Sequence, residues 1–191
     1  MNNLKKKDFL YIALIILAFI AMVLIITNNV YLYGSTLDWY GEHIAIPEYF
    51  RTLFYSTKDL FPDFAANIGS GQNIYNLSYY GFLSPIILIS YLLPKVPMPT
   101  YIAISTIVCV IISTIMIYIF LKNKKYSSEV CFLSSLLFIM SSSISLHSHR
   151  HIMFINYMPF LILGLFGVDK KFSSNKSWLL TISSFFMIMT S

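Results

Sequence analysis

Uninterrupted apolar runs constrain this chain more than any other feature. The hydrocarbon core of a bilayer is about 30 Å thick and takes about 20 helical residues to cross. Four runs come close to that length, at residues 9–27, 100–121, 130–146 and 152–168, and a fifth covers 178–191. With 57% hydrophobic and 11% charged residues and a mean hydropathy of +0.71, no soluble globule could hide this surface. The expectation is an all-α, polytopic transmembrane protein. Lys5, Lys6 and Lys7 precede the first run as they would in a signal peptide, but no small-residue cleavage site follows, so the run is read as a retained span. The last run stops without a flanking charge or cap, as expected of a chain truncated inside a membrane helix.

Charge sets the expected topology. The net charge is +5, but the lysines sit in short clusters between apolar runs, where they act as topology signals; nucleic acid is excluded as a partner. A further apolar stretch at 85–93 is bounded by Pro85 and Pro94 and is too short to span. If it lies in the interface, nine lysines (5, 6, 7, 122, 124, 125, 170, 171 and 176) fall on the cytoplasmic side, and only Arg51, Lys58, Lys95 and Arg150 lie outside. If it spans, five basic residues lie inside and eight outside, against the positive-inside rule. The first arrangement predicts a multi-pass protein of the cell membrane, its N-terminus cytoplasmic, with one long external loop at 28–99. Cys109 and Cys131 fall within apolar runs and read as small hydrophobes.

Loops of that length usually carry function. This one holds five of the eight acidic residues, which makes it the place to look for acid–base chemistry. Within it, Ile46, Tyr49, Phe50, Leu53 and Phe54 recur at helical spacing and predict an amphipathic helix lying on the membrane surface. Asp38 follows the first span and sits between Gly34 and Gly41. A carboxylate there can take the proton from an acceptor hydroxyl as it attacks an activated sugar, or it can be a helix N-cap or a solvated loop residue. Glu42 lies one turn on with His43 beside it, so both can share a face with Asp38 or belong to an exposed polar surface. Asp63 can orient a substrate hydroxyl or turn the chain after Pro62. Tyr79 and Tyr80 can stack on a sugar ring, although tyrosine also favours interfaces on physical grounds alone. The second external turn, HSHRH at 147–151, sets three histidines and an arginine at the membrane surface. It can bind phosphate or pyrophosphate through His147, His149 and Arg150, or serve as an interfacial polar cap. Zinc is a rival for this turn, but cysteine, carboxylate and the spacing of a zinc-binding helix are all lacking, and no metal ligands are assigned.

The words LDWYGEHI (37–44), LFPDF (60–64), GSGQNIYNLSYYG (69–81), HSHR (147–150) and FINYMPF (154–160) resemble the bacterial YfhO-type membrane proteins, which are related to the GT-C class of lipid-dependent glycosyltransferases. Family members are much longer, so residues 1–191 correspond to an N-terminal part of a GT-C-like module, with membrane-lying helices in the external loop. The resemblance implies transfer of a sugar from a polyprenyl-phosphate donor to a cell-wall polymer such as lipoteichoic acid. It implies Asp38 as catalytic base, His147, His149 and Arg150 on the lipid phosphate, and Asp63, Gln72, Asn73 and Tyr79 along the sugar site. GT-C enzymes include metal-dependent and metal-independent designs, which leaves a divalent metal ion open as a cofactor. The alternatives are a lipid or polymer transporter or flippase subunit, and an inactive truncated copy.

Overall fold

The computed structural model describes residues 4–30, 33–35 and 38–190, with only the backbone for 26–30. Thr36 and Leu37, the second of them in the LDWYGEHI word, and Ser191, where the last predicted span ends, lie outside the described residues. The described chain is mostly helical, and its only strands among the described residues are β1 (Phe64–Ala65) and β2 (Gln72–Asn73), paired antiparallel.

Three helical stretches are long and apolar enough to cross a membrane. They are Lys6–Ile25 within α1 (Lys6–Val30), α4 (Met98–Asn123), and Met153–Ser174, formed by α7 (Met153–Asn156) with α8 (Met158–Ser174). The last is interrupted at Tyr157, just before Pro159, which supplies no backbone donor. Two shorter apolar helices join them, α5 (Ser128–Met140) and α9 (Trp178–Thr190). The predicted span at 130–146 falls on α5 and α6 (Ser142–His147), which Ser141 separates in extended conformation at ψ 142°. The Ser141 hydroxyl donates to the Phe138 carbonyl at 2.7 Å and accepts from the Ile144 amide at 3.4 Å, so it closes one helix and caps the next. Leu10, Leu17 and Leu24 of α1 are each about 60% exposed, a face that only lipid or further protein would cover. The molecule is an all-α membrane protein.

The helices run alternately up and down. The start of α1 meets the end of α4 through Asp8 and Tyr118, and the start of α5 through Lys7 and Glu129. The end of α8 meets the α4–α5 connection through Lys124 and Asp169. The lysines at 5–7, 122, 124, 125, 170 and 171 therefore gather at one end of the bundle. Helices α8 and α9 pack closely because a Cβ on Gly167 would stand 2.6 Å from the Leu180 nitrogen. Both cysteines are buried and free.

At the other end, the segment between α1 and α4 makes its own core. The amphipathic α2 (Ala45–Thr57) turns Phe50 inward onto Phe82, with Ile46, Tyr49, Leu53 and Phe54 packed alongside. The apolar stretch at 85–93 is the five-residue helix α3 (Pro85–Ile89) and a 3-10 turn (Ser90–Leu92), far short of a membrane crossing. Ile87, Tyr91, Met98 and Ile102 complete this core with Ile152 from the turn before α7.

Candidate functional site

Asp38 opens a π-helical turn, Trp39–Ile44, which leads directly into α2. Turns of this kind are wide, uncommon and frequent at functional sites. Trp39 anchors it: the indole is fully buried against Gly34, whose φ of +114° and missing side chain are both required, since a Cβ would lie 2.2 Å from the ring. The turn buries His43 and leaves Glu42 and Asp38 open to solvent.

The chain before this turn is stitched to the 147–151 turn. Tyr33 donates its hydroxyl to the Ser148 carbonyl at 2.5 Å, and the Ser35 amide donates to the His149 carbonyl at 2.9 Å. Asp38 is thereby brought to His151, with Oδ2 3.3 Å from Nε2, and His151 in turn lies Nδ1 to Nδ1 with His147 at 3.2 Å. The His43 ring meets the His151 ring edge-on at 5.6 Å and the Tyr80 ring at 5.7 Å. Tyr80 donates to Glu42 Oε2 at 2.8 Å, and Tyr79 stands against Tyr80 at 5.3 Å.

All four histidines of the chain therefore share one end of the molecule, and burial is the first cause that holds three of them, His43, His147 and His149, below the ordinary value. His43 is pushed down to about 4, mainly by burial and then by His151, against the opposing pull of Glu42 and Asp38. His147 is lowered by burial, His151, Arg150 and His149; His149 is lowered by burial and by Arg150, which outweigh a backbone hydrogen bond acting the other way. The permanent charge of the turn is that of Arg150, which is exposed and bonds no described side chain. Among the described residues, no three His, Cys, Asp or Glu side chains are grouped to hold a metal ion.

Of the residues singled out from sequence, Asp38, Glu42, His43, Tyr79, Tyr80 and His147 form one contact network, with His149 joined to it through its backbone. Asp63, Gln72 and Asn73 lie on the hairpin, which attaches through rings Phe61 and Tyr75 to Phe82. Asp63 is exposed and its carbonyl accepts from Ile74, while Asn73 Oδ1 caps the following 3-10 turn (Ile74–Tyr80) by accepting from the Tyr75 amide at 2.9 Å. No hydrogen bond or ion pair joins these three to Asp38 among the described residues. The sequence reading gave His151 no role of its own, yet it makes the contact with Asp38; the available signal was its spacing of four from His147, one helical turn. Asn156 and Ser84 were also passed over. Both are buried, their Oδ1 and Oγ have no partner among the described residues, and they line a narrow crevice with Tyr79 and Tyr80.

The family model described as bacterial membrane protein YfhO matches residues 9–191. No curated protein and no solved structure matches the chain.

Proposed function

The chain belongs to the YfhO family of bacterial membrane proteins, and on that premise we propose that it is a membrane glycosyltransferase taking its sugar from a polyprenyl-phosphate carrier. The acceptor in this reading is a cell-wall polymer such as lipoteichoic acid, outside the cytoplasmic membrane. One observation carries it: Asp38, the first carboxylate after α1, meets the 147–151 turn at 3.3 Å. A base and a phosphate-binding group then face one another at one end of the bundle, where an anchored donor can reach both. The gathering of lysines at the opposite end supports an orientation with that end cytoplasmic and the Asp38 end outside.

In the reaction, Asp38 removes the proton from an acceptor hydroxyl as its oxygen bonds to the anomeric carbon. The bond from that carbon to the phosphate oxygen breaks, and its electron pair leaves with the polyprenyl phosphate. Phosphate needs little protonation on departure, so Arg150 and neighbouring N–H donors suffice to stabilise its charge. His149 stands beside Arg150, while Tyr79 and Tyr80 offer ring faces to the sugar.

The test is Asp38→Asn in the gene as its host carries it, followed by mass spectrometry of the wall polymer. The expected result is loss of the sugar increments while carrier lipid still binds. A polymer of unchanged mass overturns the reading, and it is the result a transporter or flippase would give.

A further inference from the structure

Asp38 is half exposed and stands just before the Trp39–Ile44 turn, so by itself its carboxylate would sample several rotamers. Behind it stand two imidazoles in line. The Nε2 of His151 stands 3.3 Å from Asp38 Oδ2, within ion-pair distance, and the Nδ1 of the same ring makes a hydrogen-bond contact with His147 Nδ1 at 3.2 Å, so each edge of His151 has a polar neighbour. The spacing is held from both backbone and ring: the His151 amide donates to the His147 carbonyl at 3.2 Å, and Phe154 packs against His147 at 4.6 Å and against His151 at 5.8 Å. The edge-on His43 ring closes another side.

With both rings neutral, proton counting orders the tautomers. Two Nδ1 atoms at 3.2 Å need one proton between them. In the neutral pair, a proton on His151 Nδ1 would leave the Nε2 lone pair facing a carboxylate. The favourable arrangement puts the shared proton on His147 Nδ1 and the proton of His151 on Nε2, on the edge that Asp38 approaches. We propose that His151 is the positioning residue for Asp38 and that His147 sets the tautomer of His151. Oδ2 of Asp38 is held by His151 and Oδ1 is left to take the acceptor proton. The same arrangement leaves His147 Nε2 without a proton, so Arg150, and not His147, is the group that meets the phosphate. The inference rests on the glycosyl-transfer reading given above. Its proton balance is that reading's own: the acceptor proton ends on Asp38, and neither histidine gains or loses one in the step.

The experiment measures kcat and KM in membranes from strains carrying the full gene. The probe is polyprenyl phosphate bearing the radiolabelled sugar that the polymer mass difference identifies. His151→Leu and His147→Leu are expected to lower kcat about 10–100-fold, the range typical of residues that orient a functional group from behind it, with KM for the carrier unchanged. His151→Gln, which keeps an N–H within reach of Asp38, restores most of the loss; Arg150→Gln raises KM for the carrier instead. Wild-type kcat in His147→Leu, or a His151→Gln as slow as His151→Leu, overturns the positioning role while Asp38→Asn remains inactive. Activity in Asp38→Asn overturns the transfer reading itself, so the two failures differ. If His151→Leu does not accumulate in the membrane, His147→Leu and His151→Gln decide the matter.

Discussion

The two ends of the bundle treat buried polar atoms in opposite ways. At the lysine end, Asp8 has no exposed surface and its carboxylate is fully occupied: it accepts from the Lys5 amide and the Tyr118 hydroxyl, both at 2.7 Å, and pairs with Lys122 at 3.4 Å. Lys122 also donates to Ser128 at 3.1 Å, so one cluster ties α1, α4 and α5 together. At the histidine end, Trp39 Nε1, both nitrogens of His43, His149 Nδ1, Ser84 Oγ and Asn156 Oδ1 are buried without partners among the described residues. A buried polar atom left unpaired costs about 1–3 kcal/mol, so a fold that tolerates several in one place has sacrificed stability there. The lysine end is built to hold the helices together, and the histidine end keeps bonding capacity for something else.

The strongest way to break that comparison is to exchange effects between the ends. Asp38→Asn is expected to reduce sugar transfer by about 10²–10⁴-fold, the usual contribution of a positioned base, with no change in the thermal midpoint of the protein in detergent. Asp8→Ala is expected to do the reverse. Removing one partner of a buried pair costs about 3–5 kcal/mol, toward the lower figure here because Lys122 keeps some contact with solvent. The midpoint falls while the rate per folded molecule is retained. A large loss of stability in Asp38→Asn, or of specific activity in Asp8→Ala, would erase the division of labour.

Acid sharpens the contrast next. The folded state holds His43 near 4, against an ordinary value of 6.5, so between those values the unfolded chain binds the proton and the folded chain resists it. Stability then rises with pH across this window and falls on acidification from about 6.5 toward 4, by at most about 3 kcal/mol. Thermal melts in detergent between pH 7 and pH 4 read the slope, and His43→Phe should flatten most of it. A slope unchanged in that variant would assign the acid sensitivity to His147 and His149, both also held below their ordinary value.

The sequence makes the long apolar helices α1, α4 and α8 legible because a membrane protein's helices have a length and a composition that hydropathy reads directly. It also places the amphipathic α2, whose apolar spacing follows from one packed face. The interruption at Ser141 escapes the same method: three serines at 141–143 scarcely change a hydropathy average, while a single hydroxyl bonding to Phe138 and Ile144 ends one helix and starts another. Asp8 reads locally as one more charge beside Lys5–Lys7; its burial depends on Tyr118 and Lys122, more than a hundred positions away. In the site, Asp38, Glu42 and His43 are close in sequence and were grouped on that basis. The meeting of Asp38 with His151 is a tertiary contact that only the stitching of Tyr33 and Ser35 to the later turn brings about. Asp63, Gln72 and Asn73 share the loop with Asp38 but are drawn aside by a hairpin whose two-residue strands carry little periodic signal.

The smallest expected effect tests where the reacting centre sits within the histidine end. Tyr80→Phe removes the hydroxyl that donates to Glu42 but keeps the ring that meets His43. Burial and the Glu42 carboxylate push the Tyr80 phenol up to about 12, so it stays protonated and acts only as a donor at any working pH. Glu42 is exposed and turns to water when the donor is lost, so stability should change by less than about 1 kcal/mol. If Tyr80 holds the sugar by its ring, kcat stays near wild type, and a modest rise in KM is the whole effect. If Tyr80→Phe proves as inactive as Asp38→Asn, the chemistry belongs to the Glu42–Tyr80 pair. The Asp38–His151 contact would then be one more tie that holds the loop to the bundle, and the histidine end would resemble the lysine end more closely than its unpaired atoms suggest.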